Sequence, residues 1–172
     1  EILATALELV DADNFDDLEP APSSGHRAVT TVRPGGQVLR VKADDAASQR
    51  AALLSALDWA CHAGVRRGDT AILVPDNRRA QEWARTLASA GVSAQLLTDY
   101  EGATSDAVKI GTYQRAKGLE FACVFVPDYH LAIPQQGPSE PDEAYRERAA
   151  LARRRLFVAM TRARDRLWLG TR

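Results

Sequence analysis

No apolar run in this 172-residue chain approaches twenty residues, which excludes a membrane-crossing helix, and no secretory leader is legible. The two cysteines, Cys61 and Cys123, lie in apolar stretches without metal-ligand spacing. They are expected to be buried thiols in a reducing compartment, a bacterial cytoplasm, and neither a disulfide nor a metal site. His26, His62 and His130 are far apart and form no site. Lysine is scarce too, at three of 22 basic residues, so any basic surface is built from arginine. There is no Gly-x-x-x-x-Gly-Lys-Ser/Thr loop and no acidic pair after a strand, so the chain lacks a phosphate cradle and a magnesium-holding carboxylate pair. It opens at Glu1 in a helical pattern without an initiator methionine and is expected to be a piece of a longer polypeptide.

What is present is a soluble globular composition, 45% hydrophobic and 26% charged, with a net charge of -1 that conceals an asymmetry. From Glu143 onward nine arginines face three acids, a local charge of +6 against -7 for the rest, which points to an anionic partner near the C-terminal end.

Apolar spacing predicts a short helix over 1–11, an acidic proline-bearing loop to Gly25, and strands at Ala28–Arg33 and Gln37–Val41 joined by a Pro34-Gly35-Gly36 turn. A helix follows from Asp44 or Asp45 to Gly64, with apolar residues at 47, 51, 54, 57 and 61. Thr70–Pro75 reads as a strand buried on both faces, followed by a helix near Arg78–Ala90 and a strand at Ser93–Leu97. Strands at Val108–Gly111 and Ala122–Pro127, a loop to Pro141, a helix over about Asp142–Ala163 and a strand at Arg166–Gly170 complete the pattern. The segment Leu131–Pro141 is expected to be the most mobile. Alternating strands and helices predict an α/β fold with a mostly parallel sheet covered on both faces.

Two segments carry chemistry. Gly111-Thr112-Tyr113-Gln114-Arg115-Ala116-Lys117-Gly118-Leu119-Glu120-Phe121 leaves the end of an apolar strand, where open α/β sheets bind ligands. A threonine hydroxyl with free N–H groups can hold a phosphate there, and a carboxylate can accept ribose hydroxyls. An ordinary surface turn is the plain alternative. In Arg153–Arg164, Leu156, Met160 and Ala163 form an apolar helical stripe, while Arg148, Arg155 and Arg162, spaced by sevens, lie opposite. Such a row is ordinarily solvated, but an arginine at a helix end can reach a phosphate held by a neighbouring domain.

TYQRAKGLEF resembles motif V of the UvrD/Rep helicases, and RRRLFVAMTRAR resembles their motif VI, in the family's order and strand-helix-strand context. Asp69–Asn77 resembles the strand that precedes motif V. The resemblance covers about residues 69–171 well, with 1–68 as lead-in. It implies one RecA-like motor domain over 1–172, the C-terminal half of a superfamily 1 DNA helicase, of P-loop NTPase-type α/β fold. By the same resemblance Arg162 is the arginine finger toward the γ-phosphate, Glu120 and Gly118 meet the nucleotide, and Arg154, in the arginine pair of motif VI, supports the helix or the phosphate site. Thr112 meets a DNA phosphate, with Gln114, Asn77 and Arg78 beside it on the strand's path. The implied partners are single-stranded DNA and the N-terminal RecA-like domain of the same parent, which would hold most of ATP and its Mg. The fragment alone is expected to be inactive.

Three positions depart from the family. Gln114 replaces a frequent histidine, Pro75 and Asp76 occupy a stretch where an arginine often lies near DNA, and Ala152 stands where a glutamate often precedes the arginine pair. Lys117 could face nucleotide or brace its loop. A RecD-like motif V usually reads Gln-Gly-Ser-Glu-Phe, so Lys117-Gly118-Leu119-Glu120-Phe121 favours UvrD/Rep and with it 3′-to-5′ movement. A helicase-nuclease motor and a RecA-like binding module that has lost its activity are the alternatives.

Overall fold

A computed structural model describes residues 1–10 and 36–172. The acidic loop to Gly25, the strand expected at Ala28–Arg33 and the Pro34-Gly35 turn lie outside the described residues. Among the described residues twelve elements follow one another, and ten of them build the framework. Helix α1 spans Ile2–Val10, β1 Gln37–Lys42, α2 Ala46–His62, β2 Thr70–Val74 and α3 Asn77–Ser89. Then come β3 (Ala94–Leu96), β4 (Val108–Thr112), β5 (Phe121–Val126), α4 (Asp142–Met160) and β6 (Ala163–Thr171).

The six strands among the described residues are parallel, in the order β1-β6-β5-β2-β4-β3. The unbroken apolar runs TAILV and FACVFV sit at the centre because a strand covered on both faces offers no polar side to water; every residue of β2 and β5 is buried. Successive residues point to opposite faces. Ala71, Leu73, Val124 and Val126 therefore meet α1 and α4 on one side. Ile72, Val74, Ile110 and Phe125 meet α2 and α3 on the other. Truncating a fully buried Leu73 or Ile72 to alanine would cost roughly 2–5 kcal/mol.

Asp45 and Asp76 cap α2 and α3 by accepting the N–H groups of Ser48 (2.7 Å) and Arg79 (2.9 Å), as their side-chain chemistry predicts. The face that α2 buries differs from the expected one: Gln49, Leu53, Leu57 and Ala60 are buried, whereas Ala47 and Ala51 are exposed. Alanines surround this helix and cannot set its orientation; the Leu53/Leu57 pair does. Helix α4 ends at Met160, three residues short of the expected Ala163. There the Thr161 hydroxyl donates to the Phe157 carbonyl at 3.0 Å, and Ala163 pairs with Phe121 in the sheet. Ala163 thus belongs to a strand, not to the helical stripe, and Arg162 lies in the turn, not in a helical row with Arg148 and Arg155.

Cys123 is buried, with its thiol pKa pushed up to about 12 by desolvation, but Cys61 is only half-buried. The segment 131–141 is clamped by Arg148, which donates to Glu140 at 2.6 and 2.9 Å and to the Gln135 carbonyl at 3.1 Å. No described helix is long and apolar enough to cross a membrane.

Candidate nucleotide and nucleic-acid faces

The connection from β4 to β5 passes over β2 without a helix, because both strands flank β2 and run the same way. It leaves at Thr112, the carboxyl end of β4, and arrives at Glu120, just before the amino end of β5. The two residues therefore stand at opposite ends of the sheet, although eight positions apart in sequence. Successive turns wind the path: the N–H groups of Ala116, Lys117 and Leu119 donate to the carbonyls of Thr112, Gln114 and Ala116 at 3.2, 3.3 and 3.0 Å. Tyr113 and Ala116 are buried and pin the segment beneath α4. Gly118 has φ +85, a left-handed conformation that glycine adopts without strain.

At the carboxyl end, Val74 pairs with Thr112, so the start of α3 lies beside the Thr112 hydroxyl. A cleft of about 570 Å³ opens there, lined by Asn77, Thr112, Gln114, Arg115 and Arg155 together with Pro75, Asp76 and Tyr113. The Arg115 N–H donates to Thr112 Oγ1 at 3.3 Å, which leaves the hydroxyl hydrogen available to an incoming acceptor. The α3 terminus is already occupied by the Asp76 carboxylate, so the hydroxyl, the two amides and the arginines are the donors open to an anion. Arg78 is exposed beside the cleft and does not line it. Its neighbour Arg79 turns inward, 3.6 Å from Asp76, and its buried Nη1 has no hydrogen-bond partner among the described residues. The Tyr113 hydroxyl is likewise buried and unpaired; burial raises its pKa, opposed by the Arg79 charge.

At the amino end, the Phe121 N–H donates to the Arg162 carbonyl at 2.9 Å. The half-buried Arg162 guanidinium donates to the carbonyls of Val158 (Nε, 3.0 Å) and Leu119 (Nη1, 3.4 Å) and to Thr161 Oγ1 (Nη2, 3.3 Å). All three acceptors are neutral, and among the described residues no carboxylate lies within ion-pair distance, so the charge is held in place without being cancelled. Glu120, Gly118 and Lys117 are exposed at this same end. Among the described residues no group of carboxylates, histidines or cysteines could hold a metal ion.

The structure therefore brings Gly118, Glu120 and Arg162 together at one end and Thr112, Gln114 and Asn77 at the other. Arg154 joins neither set: it is exposed on α4, eight residues or roughly 12 Å of helix before Arg162. Arg155 is the residue that reaches the Thr112 cleft, and sequence reasoning placed it only in a solvated row. Its position was recoverable from Leu156, which is fully buried and fixes the direction of its neighbours.

Residues 93–172 match the family described as the UvrD-like helicase C-terminal domain. The matched stretch contains β4, β5, α4 and β6, and with them both ends of the connection just described. Among solved structures, the C-terminal domain of a possible DNA helicase from Lactobacillus plantarum WCFS1 is similar in fold. It superimposes with a TM-score of 0.59 at 18% identity, covering 79% of this chain and 73% of that one. That likeness extends the shared α/β architecture beyond the matched residues, into the lead-in elements. No curated protein sequence matches the chain. Among the described residues the parallel six-stranded sheet is consistent with the RecA-like fold of the UvrD-like C-terminal domain.

Proposed function

We propose that this domain is one half of an ATP-driven motor that moves along single-stranded DNA, with its nucleotide face at the amino end of the sheet and its DNA face at the carboxyl end. The observation that carries this reading is the placement of Thr112 and Glu120 at opposite ends of one short connection. A single segment so placed can couple two ligands: a shift of the connection over β2 is felt at both ends.

At the amino end Glu120 would accept the ribose hydroxyls, and Gly118 would leave room for the nucleotide. The Arg162 guanidinium, released from neutral carbonyls at little electrostatic cost, would turn to the γ-phosphate and neutralise charge developing in phosphoryl transfer. The donor set fits a nucleotide's sugar and terminal phosphate but offers no cradle for the rest and no ligands for Mg. Those would come from an N-terminal RecA-like domain of the same parent, where Mg, when bound, would supply positive charge to the phosphates. Arg154, on the solvent side of α4, would support this end at long range.

At the carboxyl end Thr112, Gln114, Asn77 and Arg155 would hold backbone phosphates of single-stranded DNA, with Arg78 adding charge at the rim. Contacts of this kind position a strand without reading its bases. Movement from 3′ to 5′ is the polarity that goes with the UvrD/Rep form of the Lys117–Phe121 segment.

Separation of function tests the reading in the two-domain parent. Thr112→Val is expected to weaken single-strand binding equally for all base compositions while sparing DNA-independent ATP hydrolysis, and Glu120→Ala to raise the Michaelis constant for ATP. If Thr112→Val spares DNA binding and cripples nucleotide binding, the assignment of the two ends is wrong.

A further inference from the structure

An arginine from a distant part of the chain stands on the same edge of the sheet as Arg162 and Glu120. Strands β6, β5 and β2 are neighbours, roughly 4.8 Å apart. Arg162 stands just before β6, Glu120 just before β5, and Arg67 three residues before Thr70, where β2 begins. Thr70 pairs with Cys123, itself three residues after Glu120, so Arg67 and Glu120 are equally far from one register pair. The edge thus reads cation, anion, cation across adjacent strands. Arg67 lies outside the stretch that matches the helicase family.

Arg67 opens a short 3-10 turn, Arg67–Asp69, whose backbone is firmly held. Arg66 closes on Asp69 through Nε at 2.9 Å and Nη2 at 3.2 Å, and the Asp69 N–H donates to the Arg66 carbonyl at 3.0 Å. The Thr70 hydroxyl donates to the Arg67 carbonyl at 2.7 Å, and Gly68 packs against the backbone of Ser105. The one carboxylate of the turn is therefore committed to Arg66. The half-buried Arg67 guanidinium is left with no hydrogen bond and no ion pair among the described residues. The exposed Glu120 carboxylate is likewise unpaired among them, so these opposite charges on adjacent strands have not closed on each other. A free guanidinium on a partly packed stem above a fixed backbone is preorganised, and little freedom is lost when a ligand takes it.

We infer that Arg67 receives the base of the bound nucleotide, laying its guanidinium plane on the ring, and so favours purine over pyrimidine nucleoside triphosphates. The inference rests on the reading of the amino end as the nucleotide face, and it follows from covalent order. The ribose of a nucleoside triphosphate joins the phosphates to the base. With the γ-phosphate at Arg162 and the ribose at Glu120, the base continues toward β2, where Arg67 stands. A guanidinium is planar, weakly hydrated and attracted to the face of an aromatic ring. A two-ring purine offers it a larger face than a one-ring pyrimidine. The reversed placement, with phosphates at Arg67 and the base at Arg162, would make Arg67 the residue on which turnover depends.

The test is steady-state hydrolysis of ATP, GTP, CTP and UTP by the two-domain parent on saturating single-stranded DNA. Arg67→Ala is expected to raise KM for ATP and GTP about tenfold, the loss of one stacked cation, and to lower kcat by less than about twofold. KM for CTP and UTP should rise less, so the preference for purines shrinks. Arg67→Lys should recover only part of the loss, since an ammonium keeps the charge without the plane. Ribose 5′-triphosphate, which carries no base, should inhibit the wild type and Arg67→Ala equally. Equal rises in KM for all the nucleotides, weaker inhibition of Arg67→Ala by ribose 5′-triphosphate, or a collapse of kcat overturns the base assignment. Glu120→Ala separates this inference from the reading beneath it. If Glu120→Ala raises KM for ATP and Arg67→Ala does not, the role of Arg67 is wrong and the nucleotide face stands; if neither does, both fall.

Discussion

The Phe121 N–H donates to the carbonyl of Arg162 at 2.9 Å, so the residue that follows Glu120 and the arginine of the α4–β6 turn are held in one register. Glu120 and Arg162 are thus positioned as a unit at the amino end, while Thr112 stands at the far end of the sheet.

Removing the Arg162 guanidinium in the two-domain parent is expected to leave nucleotide binding largely intact and to lower ATP turnover on the order of 10³-fold or more. Arg162→Lys should recover only part of this, since an ammonium lacks the planar fork that now spans Val158, Leu119 and Thr161. Steady-state hydrolysis with parallel nucleotide-binding measurements decides it, and near wild-type turnover for Arg162→Ala would exclude the finger role.

Two glycines make contrasting demands. A Cβ on Gly68 would lie 1.9 Å from the Ser105 carbonyl oxygen, backbone against backbone with nothing free to move. Gly68→Ala is expected to destabilise the domain by about 3 kcal/mol, the upper part of the overpacking range. A Cβ on Gly118 would meet nothing within 4 Å, and only its φ of +85 resists, so Gly118→Ala should cost about 1 kcal/mol. Denaturant unfolding of both variants should give this order; the reverse would contradict the close approach at Gly68.

Lys109 is 2% exposed, donating to Ser105 Oγ at 2.6 Å and the Ala107 carbonyl at 3.0 Å, with its ammonium 5.2 Å from the centre of the Tyr100 ring. Burial lowers its pKa, and the charges of Asp69 and Asp106 only partly oppose this. Between the lowered folded value and the ordinary lysine value the unfolded chain binds more protons, so stability should rise with pH across that window. The raised Tyr113 pKa acts the other way above about pH 10, where the unfolded phenol ionises first. Subtracting the profile of Lys109→Met isolates the lysine, and identical slopes for both proteins would show that it does not titrate as stated.

The Arg148 hydrogen bond, followed by that of the Gly137 N–H, holds the Glu140 carboxyl below the usual carboxylate range. Its contribution is therefore present at neutral pH and lost as pH falls through the depressed folded value. Glu140→Gln should speed hydrogen exchange at the Gly137 amide without changing global unfolding, and unchanged exchange would mean the clamp does not order the loop.

Among the described residues the sequence by itself determined where most strands and helices form, because that information is local. Continuous apolar runs such as TAILV leave no polar face, and Asp45 and Asp76 cap helices through their own side chains. The paired motifs also carried the family, which the match over 93–172 bears out. Tertiary structure alone decided which residues of those motifs stand together. Parallel pairing on both sides of β2 sends Thr112 and Glu120 to opposite ends, a separation that linear distance hides. Strand pairing claimed Ala163 for β6 and so took Arg162 off the helix. The packing of Leu156 turned Arg155 to the Thr112 cleft and left Arg154 in solvent. Each of these depends on contacts between residues distant in the chain, and propensity and periodicity, which read only neighbours, contain no term for them.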